Sequence, residues 1–227
     1  DMNSDGYPDL IVSNDWAASH VYVNVGGTLD TTPTWAAAQG DYSPAAAPGD
    51  VDNDGDLDLA VADQGANMLY ENIGATLTRA GAWRSGNPNP AKDVAWGDVD
   101  GDGDPDLAMS GSGESVYLNE NGVLALTPAW TADGAAQAHS VAWGDVDGDG
   151  DLDLAVGVGV GSGSGYSVAR LYVNEAGSLS ATAAWTAESA DGTPTNFEVV
   201  AWGDVDNDGD LDLAVGYLNT DMVLTYR

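Results

Sequence analysis

One ten-residue segment constrains this chain more than any other: Asp145-Val146-Asp147-Gly148-Asp149-Gly150-Asp151-Leu152-Asp153-Leu154. It sets aspartates at positions 1, 3, 5 and 9 of a tight loop, with glycine at position 6. Alternate side chains converge when a backbone curls round a point, and a hard cation taking roughly six to eight oxygen ligands suits such a cage. Position 7 would add its backbone carbonyl, and water would complete the shell. Glycine fits the sharp turn at position 6 because a left-handed conformation costs it little. The pattern returns at Asp1, Asp50, Asp98 and Asp204. All five copies read as calcium loops, so about five calcium ions are expected.

The net charge of −32 follows from these loops, which hold 23 of the 37 acidic side chains: three in the first and five in each of the others. The acidity is therefore local, and random acidity would not keep this register. Five divalent ions would bring the charge to about −22. A chain this acidic is not expected to bind nucleic acid through phosphates. Anionic membrane surfaces should repel it too, unless calcium bridges them. There is no cysteine, so metal is the obvious substitute for a disulfide staple. No signal peptide, lipidation motif or apolar run of about 18 residues stands out, so a soluble mature protein or a fragment, without direct membrane insertion, is expected. No Asn-x-Ser/Thr acceptor occurs.

The loops start at residues 1, 50, 98, 145 and 204, and every unit around them has the same parts. In the third, Asp93 to Gly97 leads in and Asp106 to Ser110 leads out. Gly111-Ser112-Gly113 turns, Ser115 to Asn119 follows, and Asn121-Gly122 is a strong hairpin signal. Leu124 to Trp130 completes four short runs rich in valine, leucine and aromatics. No segment has a sustained 3.6-residue apolar period, so almost no helix is expected. Ala47-Pro48-Gly49 replaces Ala-Trp-Gly in the second unit, which weakens that strand or puts it at an edge. A Gly/Ser insertion at 157–165 reads as a flexible hairpin loop, and 186–198 is longer than its counterparts. Trp35, Trp83, Trp130 and Trp185 end units, and Trp96, Trp143 and Trp202 precede loops. Their rings suit packing between neighbouring sheets; stacking on sugars is the alternative. Repeated four-stranded units of this length predict an all-β fold, a β-propeller of about five four-stranded antiparallel blades with incomplete terminal blades. The chain is read as a single repeat domain, 1–227, with units near 1–40, 41–88, 89–135, 136–194 and 195–227.

The run Val141 to Gly157 resembles the FG-GAP repeat of integrin α-subunit propellers. It is more similar still to the bacterial VCBS/FG-GAP-like repeats of large secreted proteins. Leu69-Tyr70-Glu71-Asn72 and Leu171-Tyr172-Val173-Asn174 resemble those bacterial repeats as well. In such proteins the loop joins the first two strands of a blade and binds calcium. By position, the resemblance implicates Asp50, Asp52, Asp54, Asp56 and Asp58; Asp98, Asp100, Asp102, Asp104 and Asp106; Asp145, Asp147, Asp149, Asp151 and Asp153; and Asp204, Asp206, Asp208, Asp210 and Asp212. In the first loop it implicates Asp1, Asn3, Asp5, Tyr7 and Asp9. There Asn3 supplies a neutral oxygen and Tyr7 only its carbonyl, so weaker binding is expected. The Phe-Gly and Gly-Ala-Pro tags of the integrin repeat are absent, which argues against integrin-like ligand recognition.

Other chemistries fit less well. An EF-hand needs a bidentate Glu at position 12, where this chain has Val61, Met109, Val156 or Val215. Zinc needs Cys or His clusters, and His20 and His139 stand far apart in sequence with no ligand spacing around them. A glycosidase needs one unique pair of carboxylates across a groove, whereas these acids repeat in cages, so no enzyme is expected. The sequence reads as an extracellular, cell-surface or secreted calcium-binding propeller with a structural or adhesive role. The alternatives are a lectin-like module and a non-catalytic propeller domain of a larger secreted enzyme. Counting runs gives three strands, three units of four, then three. Unpaired terminal edges would be templates for neighbouring polypeptide, either copies of the chain or adjoining repeats of a longer one. A head-to-tail contact that does not close would build a filament; a self-contained five-bladed monomer is the competing outcome. A cell-surface protein or glycan is a further possible partner.

Overall fold

The computed structural model describes residues 1–14, 16–37, 43–63, 65–78, 81–86, 90–133, 137–159, 168–188, 197–217 and 220–226. Each repeat is an antiparallel meander, and from the second repeat on the aspartate loop joins its first two strands. The first sheet contains β1 (Leu10–Val12), β2 (His20–Tyr22) and, after a separate two-stranded ribbon of β3 (Asn24–Val25) and β4 (Thr28–Leu29), β5 (Trp35–Ala36), which pairs with β2. The second runs β6 (Ala46–Gly49), β7 (Asp58–Val61), β8 (Met68–Tyr70) and β9 (Trp83–Arg84). The third runs β10 (Ala91–Gly97), β11 (Asp106–Gly111), β12 (Ser115–Tyr117) and β13 (Trp130–Thr131). The fourth runs β14 (Gln137–Gly144), β15 (Asp153–Gly159), β16 (Val168–Tyr172) and β17 (Trp185–Glu188). The fifth has β18 (Phe197–Gly203), β19 (Asp212–Tyr217) and β20 (Thr220–Tyr226). The three-, four- and three-stranded sheets expected from the sequence are present, and no helix occurs among the described residues.

Local chemistry accounts for details of these strands. Pro48 sits in β6, the edge strand of its sheet, opposite Leu59, so its missing N–H leaves no ladder partner inside the sheet. Asn121 and Gly122 have φ of 55° and 82°, the two left-handed residues of a tight hairpin, and Leu124 bridges back to Asn119. The fourth strand of this unit is shorter than the run Leu124 to Trp130 suggested. After Leu124 the ladder lapses until Trp130–Thr131, across a stretch containing Pro128, which has no N–H to donate. The insertion continues β15 through Gly159; residues 160–165 and the central part of 186–198 lie outside the described residues.

The core consists of four layers, each shared by two successive sheets. One holds Val51, Leu69 and Trp83 from the second sheet with Val94, Leu107 and Tyr117 from the third. Equivalent layers join sheets one and two, three and four, and four and five. Arg170 of the fourth sheet also reaches to 3.6 Å from the buried carboxylate of Glu114 in the third.

Two sets of tryptophans make these layers specific. Trp35, Trp83 and Trp130 reach forward and meet Tyr70, Tyr117 and Tyr172 of the next sheet edge-on, with ring centroids 4.9, 5.3 and 5.0 Å apart. Their indole N–H groups donate to the carbonyls of Thr78, Ala125 and Ser180. Trp96, Trp143 and Trp202 reach back and donate to the carbonyls of Ala47, Ala95 and Ala142. Each of these rings lies flush on the glycine two residues further on: a methyl group at Gly49, Gly97 or Gly144 would sit 2.6–2.7 Å from indole atoms. At Gly203, the fourth such glycine, no atom lies within 4 Å of that position. These six indoles are therefore packing residues. Gly97→Ala and Gly144→Ala are each expected to lower stability by about 1–3 kcal/mol through overpacking, while Gly203→Ala leaves it unchanged within about 0.5 kcal/mol. Denaturant unfolding of the three variants measures this directly.

Candidate metal centre

Every loop is held open from inside by its own backbone. Position 4 takes a left-handed φ of 57–75° (Ser4, Asn53, Gly101, Gly148, Asn207), and the glycine at position 6 one of 90–100°. The first aspartate gathers the loop: one oxygen accepts the N–H of position 5 at 3.0–3.1 Å, the other that of position 6 at 2.6–3.1 Å. The fifth-position aspartate accepts the N–H of position 7 at 2.9–3.1 Å, closing a second small turn.

The ninth aspartate fixes the loop to its sheet. Asp58, Asp106, Asp153 and Asp212 are buried at the start of the second strand. One oxygen of each accepts the N–H of position 2 (Val51, Val99, Val146 or Val205) at 2.8–2.9 Å. The other oxygen of Asp58, Asp106 and Asp153 accepts the backbone N–H of Asn72, Asn119 and Asn174 at 2.7–2.8 Å. Asp9 is bound in the same way by Met2 and Asn24. Burial pushes the Asp58 and Asp106 carboxyls up to about 6, with nearby loop carboxylates adding to the rise and the two N–H donors opposing it. Asp153 moves in the same direction for the same reason.

Carboxylate oxygens of positions 1, 3 and 9 converge in four loops. Asp50, Asp52 and Asp58; Asp98, Asp100 and Asp106; Asp145, Asp147 and Asp153; and Asp204, Asp206 and Asp212 each bring oxygens within 4.8 Å of one another. No such trio forms among the described residues of the first loop, where Asn3 stands at position 3. Asp1, Asp5 and Asp9 there keep the hydrogen bonds of the other loops, and Tyr7 offers only its backbone. The fifth-position aspartates Asp54, Asp149 and Asp208 stand outside the trios, while Asp102 joins Asp100 and Glu120 in a further grouping. At position 7 the side chains of Asp56, Asp104 and Asp151 turn away to accept N–H groups of the hairpins at Gly74, Asn121 and Ala176. Asp210, at the same position, has its N–H held by Asp208.

The donors in each trio are all carboxylate oxygens, the ligands that hard divalent cations prefer, with no sulfur or imidazole to favour a softer metal. Three carboxylates so close repel one another unless protons or a cation compensate them. The set therefore fits calcium: positions 1, 3 and 9 would hold it, and the ion would supply charge compensation. Sequence reasoning missed the asparagines Asn72, Asn119 and Asn174 as part of this site. The signal was present in the recurring Leu-Tyr-x-Asn, and its meaning lay in a contact between segments far apart in the chain.

The FG-GAP-like repeat matches residues 1–61, 50–109 and 108–156. The chain belongs to this FG-GAP-like repeat family. Among solved structures, the V. cholerae biofilm matrix protein Bap1 is similar to this FG-GAP-like chain over 95% of its length, with a TM-score of 0.53 and 20% identity. BBS1N, crystallised in complex with ARL6DN, is similar over 80%, with a TM-score of 0.52 and 15% identity. These are likenesses of fold. The chain spans 33% of the Bap1 chain and 52% of the BBS1N chain. No curated protein sequence matches it.

The raised ninth-position carboxyls give the metal-free protein a definite pH dependence. Asp58 and Asp106 titrate near 6 when folded and near 3.8 otherwise. The folded state thus holds protons more tightly, so their contribution is fully present below about 4 and lost as pH rises through about 6. In chelator, the melting temperature is expected to rise when pH is lowered from 7 to 5. In saturating calcium this gain disappears, because protons and metal compete for the same oxygens. Thermal unfolding at both pH values, with and without calcium, checks the sign.

Proposed function

We propose that this chain is a calcium-stabilised β-propeller segment with a structural or adhesive role outside the cell, its five sheets being blades. The observation that carries the reading is the trio of converging carboxylates that recurs in four loops, each anchored by a buried aspartate. Sites of this kind have dissociation constants on the order of 10⁻⁴–10⁻³ M in extracellular modules, which millimolar calcium fills. The fold likeness to a biofilm matrix protein supports an extracellular setting. No helix among the described residues is long and apolar enough to cross a membrane. The repetition of the acids supports a non-enzymatic role, since a catalytic pair is unique to one place. The packing of six indoles between sheets argues against a lectin that would use those rings.

The proposed partner is another sheet of the same repeat kind, from an adjoining repeat or a neighbouring copy. The seat formed by Ala201 and Gly203 has the chemistry of the three that receive Trp96, Trp143 and Trp202. Val205 beside it is 56% exposed, whereas the corresponding Val51 is 1% exposed. A peptide with the sequence of residues 137–146 is expected to bind the calcium-loaded protein and to lose binding when its tryptophan becomes alanine. No binding, or equal binding of both peptides, contradicts the assignment.

Calcium removal tests the main reading. Chelation is expected to lower the melting temperature by ten degrees or more, on the order of what the loss of several ions bound only by the folded state implies. Calcium restores it, and magnesium does so poorly because it demands a stricter octahedral shell. Among variants, Asp147→Ala and Asp206→Ala should cost more stability in calcium than Asn3→Ala. An unchanged melting curve after verified metal removal would end the proposal.

A further inference from the structure

The hairpins that follow Asn119 and Asn174 are each wedged between two aspartate loops. Asn119 serves its own loop twice: its N–H donates to Asp106 at 2.8 Å, and its Nδ2 donates to the Pro105 carbonyl at 3.2 Å. The same Nδ2 donates to the carbonyl of Val51, at 2.7 Å, in the loop of the preceding repeat. Gly122, at the hairpin tip, presses on that same preceding loop: a methyl there would lie 2.8 Å from the Cβ of Asp52. In return, Asn53 Nδ2 of the preceding loop donates to Asp104 Oδ1 at 2.8 Å. Asp52 and Asp106 belong to the carboxylate trios of loops two and three.

The arrangement recurs. Asn174 donates to Asp153 and the Leu152 carbonyl of its own loop and to the Val99 carbonyl of the loop before. Gly177 leaves only 3.1 Å between a methyl and the Cα of Asp100. Asn72 donates to Asp58 and the Leu57 carbonyl, and to the Met2 carbonyl of the first loop. All three asparagine side chains are buried, with exposures of 3%, 0% and 0% for Asn72, Asn119 and Asn174.

From this geometry we infer that Asn72, Asn119 and Asn174 couple the metal occupancy of adjacent loops, so that calcium binds cooperatively between neighbours along the chain. A cation held by Asp52 fixes the peptide of loop two. That peptide seats Asn119 and the hairpin tip, and Asn119 in turn orders Asp106 for the next cation. Conformational freedom lost on filling one loop then need not be lost again in its neighbour. By linkage the coupling is reciprocal, and it fades with distance because each loop touches only the adjacent ones. The inference rests on the calcium reading above.

A calcium titration followed by NMR separates the two. The amides of Gly55, Gly103 and Gly209, at the sixth positions of loops two, three and five, report their own loops. Asp52→Asn disables loop two. The half-saturating calcium concentration at Gly103 is expected to rise about five-fold or more, with Gly209 unmoved. In the Asn119→Ala background, Asp52→Asn should no longer shift Gly103. The neighbour-against-distant comparison stands even if the alanine variant does not fold. An unchanged Gly103 midpoint, or equal weakening at Gly103 and Gly209, overturns the coupling while leaving calcium binding intact. Amides that never respond to calcium overturn the metal reading itself.

Discussion

The structure depends on one buried anion in each repeat from the second to the fifth. The ninth-position aspartate lies at the start of the second strand, away from water, and in Asp58, Asp106 and Asp153 both oxygens are engaged by backbone N–H groups. A buried carboxylate is costly unless it is bonded and compensated. Two N–H donors make up part of that cost, and the carboxyl still titrates near 6 in Asp58 and Asp106. What remains is an anion whose full compensation calls for a positive charge. The loop geometry supplies the place for it, because positions 1 and 3 bring further oxygens to the same point.

Around that anion the repeat is built as a one-dimensional stack. No sheet buries its faces alone, since each core layer draws on two successive sheets. The forward and backward tryptophans lock neighbouring sheets in register by edge-on aromatic contact and an indole hydrogen bond. Glycine before the second, third and fourth loops is needed for closeness, because the next sheet's indole lies where a side chain would start. The aspartate loops and the tryptophan layers thus meet at the same interfaces between successive sheets.

Much of this was legible in the sequence, because it was written locally. The loop's aspartates and glycines, the Asn121-Gly122 turn and the alternating valine-rich runs each specify a short-range conformation. The count of strands per sheet follows from them. The edge position of Pro48 could be read from its missing N–H. What stayed hidden depends on contacts between repeats. The Leu-Tyr-x-Asn asparagines, Asn72 and Asn174, looked like a family mark until their Nδ2 atoms met carbonyls of loops 70 and 75 residues away in sequence. The glycine of Ala-Trp-Gly carried no local sign of the indole that lies on it in the third and fourth repeats. The position-7 aspartates were expected to offer the cage only a backbone carbonyl, and the hairpin N–H groups that three of their four carboxylates accept were not legible. The fourth strand was overestimated in the third unit, since Leu124 fills a core layer and the stretch after it contains Pro128, which has no N–H with which to extend the ladder.

The central claim is that metal in the loops holds the sheets against one another. Hydrogen exchange of the calcium-loaded and calcium-stripped protein tests it most directly. The account predicts that stripping calcium removes protection from the Val99, Asn119 and Val146 amides on the ninth-position aspartates, and also from the inter-sheet strands β10, β14 and β18. Loss of protection confined to the loops, with those three strands unchanged, would contradict it.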